Sequence, residues 1–90
     1  MLLTPITDGR VSGIGTLIMS TGVLGGVMIT ADGTNDAVVV IRNNGPDGRK
    51  IFHLSTKNSI FVGAPIACCK EVYYDISGTG ASAQIYGFSR

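Results

Sequence analysis

Charge is what this chain has least of. Only 14% of its 90 residues are Asp, Glu, Lys or Arg, against about 25% in ordinary soluble domains. Seven basic and six acidic residues leave a net charge of +1 with no run of Lys or Arg, so the electrostatic footprint of a nucleic-acid binder is missing and no nucleic-acid partner is expected. One histidine, His53, is the only nitrogen ligand available to a metal beside the two cysteines, which leaves a four-ligand zinc set without its parts. Those cysteines, Cys68 and Cys69, are neighbours, and a bridge between neighbours demands strained geometry. Free thiols made in a reducing cytoplasm are the expectation. Tryptophan is absent, which weakens any sugar-stacking platform. No stretch carries a capped helical period either, so helix content should be slight.

Ninety residues bound one domain, which hides roughly 60 to 65% of its unfolded surface. Scaling by length gives roughly 5 to 13 kcal/mol of stability. A margin so thin would gain from association with copies or with a larger scaffold. The apolar fraction is 44%, and with so few charges to coat the outside, some surface is expected to lie against a partner.

Residues 11–31 contain no charge and are formally long enough to cross a bilayer. Five glycines and five Ser or Thr residues dilute that run and would weaken a helix at every turn, so no membrane span is expected. A cleavable leader also fits poorly, because Asp8 stands where a basic segment belongs and no compact apolar core follows it.

Turn formers punctuate the chain densely. Asp8-Gly9, Asp32-Gly33, Asn44-Gly45, Asp47-Gly48 and Ser77-Gly78-Thr79-Gly80 separate the apolar runs, as expected where Gly or Asn takes positive φ cheaply. The intervals predict strands at 15–20, 23–31, 37–43, 49–55, 59–62, 71–77 and 82–88, with an extended segment at 2–7. Several short strands so spaced read as an all-β, antiparallel β-sandwich, with a jelly roll as one form of it. Period-two alternation selects the core: Val27, Ile29, Ala31, Ala37, Val39, Ile41, Phe52, Leu54, Val72, Tyr74, Ile76, Ala83 and Ile85. Val38 and Val40 are apolar on the opposite face and need cover from a second layer or a neighbour.

The first 13 residues divide from the sandwich proper at 14–90. Pro5, Gly9 and Gly13 suit an extended arm lying across a partner, with Leu2, Leu3 and Ile6 to bury there. An edge strand of the same domain is the other reading. Among the arm's consequences is that removing residues 1–10 should release the protein from its partner and leave the fold intact.

Few constellations carry chemistry. Asp32-Gly33-Thr34-Asn35-Asp36 is oxygen-rich, but it lacks EF-hand spacing and a terminal Glu, and reads as a hairpin loop. Gly78-Thr79-Gly80 has no helix after it to receive an anion. His53 has no evident nucleophile or carboxylate partner; Asp75 is expected to pair with a base on an adjacent strand. Tyr73, Tyr74 and Tyr86 could stack sugars only if they shared a face, whereas Tyr73 and Tyr74 alternate. Arg42, Arg49 and Lys50 flank the turn 43–48 as an electrostatic contact for an acidic partner, with a solvated loop as the plainer alternative. Neither an enzyme nor a cofactor is indicated, because no nucleophile, base or metal set can be assembled.

The combination GVLGGVMITADGTNDAVVVIRNNG followed by IFVGAPIACCKEVYYDISGTGASAQIYGF resembles small structural proteins of tailed-bacteriophage virions, over residues 23–88. The carriers are ITADGTNDAVVVI, the RNNGPDG turn and the closing YYDISGTGASAQIY, while Cys68-Cys69 and Arg49-Lys50 depart from the blander pattern. That resemblance implies a β-sandwich attached to an assembled head in many copies. Cement or decoration proteins of this kind bind the major capsid protein and stabilise its contacts at the capsid surface, after synthesis in the host cytoplasm. A homo-oligomer, trimer or dimer, is implied as well. The partner contacts would fall on Leu2, Leu3, Ile6, Val38, Val40, Arg42, Arg49 and Lys50. A connector, tail or head-fibre component and a carbohydrate-binding sandwich module are the alternatives.

Overall fold

In the computed structural model, which describes residues 3–88, eight strands follow one another: β1 (Leu3–Pro5), β2 (Gly13–Ile18), β3 (Val23–Thr30), β4 (Ala37–Asn43), β5 (Lys50–Thr56), β6 (Ile60–Ala67), β7 (Glu71–Ser77) and β8 (Ser82–Phe88). They form two antiparallel four-stranded sheets, ordered β1-β8-β3-β6 and β2-β7-β4-β5. Only β4 and β5 are consecutive in one sheet; every other connection passes from one sheet to the other. The pairs β4/β5, β3/β6, β2/β7 and β1/β8 are all antiparallel neighbours. Such nesting is a single long hairpin, bent at the β4–β5 turn and rolled up until β8 meets β3 and β7 meets β4. This is the jelly roll, the double-sheet solution to burying one face of every strand.

The rolled sheets close over Met19, Leu24, Val27, Ile29, Ala37, Val39, Ile41, Val72, Ile76, Ala83 and Ile85, all buried. Ala31, Phe52, Leu54 and Tyr74 pack against that cluster, so every alternating position picked from the sequence reaches the core or its margin. Met19 and Leu24 were missed because they flank a turn and a register shift between Leu24 and Gly26, where period-two counting breaks. The radius of gyration, 12.0 Å, matches the ~12 Å expected of a compact chain this long.

Residues 3–11 lie along their own domain, extended at Leu3–Pro5 and bent at Thr7–Gly9. Leu3, Thr4 and Pro5 pair with Phe88, Gly87 and Tyr86. Beyond β1, Ile6 N–H donates to Ile85 O (2.8 Å), and Val11 exchanges two bonds with Ala83. Buried Thr7 fastens the segment: its Oγ1 accepts from Ile85 N–H at 3.2 Å and donates to Gly9 O at 2.7 Å. The edge-strand reading therefore holds, and the physical reason is that β8 would otherwise leave its own backbone groups bare on that side.

Turn chemistry places the ends. The β4–β5 turn closes through Asn43 N–H to Arg49 O (2.9 Å) and Gly48 N–H to Gly45 O (3.1 Å). Asn44 takes φ 62° there, a left-handed conformation that Asn tolerates better than most residues. Asp32–Asp36, expected as a hairpin loop, instead carries the chain across from β3 to β4 in the other sheet.

Candidate functional site

No pocket indents the described residues, so what the molecule can offer a partner is the outside of its two sheets. On the β2-β7-β4-β5 sheet, cross-strand register sets the outward side chains in rows. One row runs Ile14, Asp75, Val40, His53; a second runs Thr16, Tyr73, Arg42, Lys50; a third runs Ser77, Val38, Ser55. Val38 and Val40 thus sit together on the central strand, half-buried by their neighbours. Ile14 and Ile18 stand on edge strand β2, 64% and 63% exposed, separated from Val38 and Val40 by the outward residues of β7. Asp75 stands across from Ile14 and Val40, so the base expected opposite it is not there.

The basic group gathers at one end of this face. Arg42 and Lys50 are direct cross-strand partners, a like-charge juxtaposition that costs stability unless one side chain turns away. Arg42 does so, donating from Nη1 to Gly48 O at 3.0 Å. Arg49 and Lys50 remain exposed beside it.

The β1-β8-β3-β6 sheet presents a different exterior. None of its strand residues is Asp, Glu, Lys, Arg or His. Outward from it stand Leu3 (43% exposed), Met28 (41%) and Phe61 (43%). The Phe61 ring lies over the bare backbones of Gly26 and Gly63 and meets Tyr86 edge-on, centroids 5.8 Å apart and planes at 80°, a favoured aromatic geometry. Leu3 and Phe88 cover Gly25 in the same way. Ile6, by contrast, turns inward against Gly87 and the core, and Leu2 lies outside the described residues. No family model, curated protein or solved structure matches the chain. Its functional reading rests on these surfaces.

The remaining constellations resolve into local structure. Asp32 Oδ1 accepts from Asn35 N–H (2.7 Å) and Thr34 N–H (2.8 Å), and its Oδ2 from Asn35 Nδ2 (2.8 Å). Those donors, the Asn35 backbone first, hold the Asp32 carboxyl below its ordinary value, because each favours the charged form. No trio of metal-ligating side chains forms among the described residues. His53 is exposed on β5 opposite Val40. Tyr73 faces outward beside Arg42, Tyr74 lies inward over Gly15, and Tyr86 belongs to the other sheet, with its hydroxyl on Gln84 Oε1 at 3.0 Å. Three tyrosines pointing three ways make no common platform. Cys68 and Cys69 are both free, one half-buried and the other exposed; burial pushes the Cys68 thiol up.

Val38 and Val40 are legible from the sequence, whereas the exposure of Ile14, Ile18, Met28 and Phe61 emerges only from the fold. Met28 carries a readable signal, since it alternates with the core residues Val27 and Ile29 in a strand without charge. What hides the four is that an exposed apolar side chain taken singly is ordinary, and only the register puts Met28 across from Phe61.

Proposed function

We propose that this protein is a virion structural protein, a cement or decoration protein that binds the assembled head of a tailed bacteriophage and stabilises contacts between major capsid protein subunits. The observation that carries the reading is the apolar side chains on both outer faces of a small, charge-poor jelly roll: Leu3, Met28 and Phe61 on one sheet, and Ile14, Ile18, Val38 and Val40 set among charged residues on the other. Surface of this kind is worth free energy only when covered. Covering it at junctions between shell subunits converts buried area into resistance of the shell to internal pressure, without a chemical step. Arg42, Arg49 and Lys50, at the rim of the second face, would orient the protein on an acidic neighbour more than they would tighten it. The likeness in ITADGTNDAVVVI and YYDISGTGASAQIY supports the same assignment.

Purified protein mixed with expanded heads that lack it should bind to saturation and raise the temperature at which the heads open. Heads that bind none would overturn the reading. Stoichiometry against the coat protein tells cement, present across the whole shell, from a connector, tail or fibre component confined to one vertex.

A further inference from the structure

We infer that the outer face of the β1-β8-β3-β6 sheet is the surface through which two copies of this chain associate, face to face. The inference deepens the oligomer within the proposed function and rests on that reading only for where the assembly would sit; it gives this face to a second copy and leaves the β2-β7-β4-β5 face for the shell.

Charge decides the occupant. The four strands of this sheet hold no ionisable side chain of either sign other than Tyr86, whereas the outer rows of the other sheet hold Glu71, Asp75, Arg42, Lys50 and His53. A partner bringing charges onto the first face would have to leave them dry and unpaired, which is strongly unfavourable. A partner without them is required, and this same uncharged face on a second copy meets the requirement. In an isologous pair the same patch faces itself across a two-fold axis, so no like charges are brought together.

Shape agrees with charge. Phe61 folded onto Gly26 and Gly63, with Leu3 and Phe88 laid over Gly25, gives an uncharged, largely apolar surface centred on Met28, between Phe61 on β6 and Gln84 on β8. Sheets stack on such layers about 10 Å apart. Strands of 3, 7, 8 and 8 residues at ~4.8 Å spacing and ~3.3 Å rise make a face of roughly 410 Å². Two copies then cover roughly 800 Å², below the range of stable specific interfaces, so the association should be weak and reversible.

Sedimentation of the protein alone from about 10 to 500 μM, a window set for micromolar affinity, tests this without any particle. The expected result is a monomer–dimer equilibrium, weakened at least tenfold by Met28→Glu and by Phe61→Asp and left unchanged by Val40→Asp on the opposite sheet. In the wild type, concentration-dependent amide shifts should be confined to β1, β3, β6 and β8, which keeps the test alive if a variant fails to fold. A monomer at every concentration overturns the inference, even if Met28→Glu abolishes binding to heads, since the occupant would then be the shell. Association that survives both substitutions, or that Val40→Asp removes, overturns it too. Association without head binding would uphold the dimer face and count against the cement role alone.

Discussion

Thr7 shows how much one hydroxyl can hold. It is buried at 6% exposure, receives the Ile85 N–H and donates to Gly9 O. Thr7→Val keeps the shape and removes the acceptor, leaving a buried N–H on β8 unpaired, a loss of about 1–3 kcal/mol. Urea unfolding should register that loss, and Thr7→Ser should recover most of it; equal stability of all three proteins would refute the role. Folding also holds the Asp32 carboxyl below its ordinary value. Because its folded pKa lies below the unfolded one, its contribution to stability is present above the ordinary carboxylate range and is lost as pH falls through the lowered value. An NMR titration should place its midpoint below that of an unstructured Asp peptide, and a midpoint at or above the peptide's would contradict the Asx geometry. Thr7 could not be picked from the sequence. It looks like any small polar residue until β8, 78 positions away, is laid beside it.

Strands were far more legible than their connections. The spans 37–43, 71–77 and 82–88 coincide with β4, β7 and β8, since alternation bounded by Gly, Asn and Ser fixes both face and length. β6 runs on to Ala67, past the predicted end at 62; Pro65 is tolerated within it because on an edge strand one side needs no donor. Turn residues mark where a strand stops and not which sheet comes next, so Asp32–Asp36 looked like a hairpin. Likewise, the sequence leaves an arm and an edge strand equally open for the first residues, because β1 is short and its partner lies at the far end of the chain. Deleting residues 1–10 therefore strips β8 of its neighbour, and that deletion tests the fold as much as any contact. Gly78 illustrates what a connection needs: its φ is 113°, and a Cβ there would run into the Asp36 carbonyl at the start of β4. Gly78→Ala should cost about 1–3 kcal/mol, read as a lowered urea midpoint with unchanged m. No change in midpoint would mean the β7–β8 connection can shift aside.

At the scale of the molecule, the nested hairpin governs folding. Only β4 and β5 meet early along the chain; β3/β6, β2/β7 and β1/β8 enclose progressively longer stretches. Topologies dominated by such distant pairings fold in roughly milliseconds to seconds, so refolding by stopped flow should fall in that range. A phase complete within microseconds would contradict the nested order. The outer faces were only half visible in the sequence: the apolar doublet Val38/Val40 could be read from one strand, but the uncharged layer around Met28 is assembled from four. Nesting has one more effect. With Leu3 opposite Phe88, anything joined ahead of β1 and anything joined after β8 would emerge at one corner, diagonal in chain order to the Asn44–Arg49 bend. A tether, tag or neighbouring module grafted at either end would be displayed from the same spot, and linking both ends while cutting that bend should yield a permuted protein with the same sandwich.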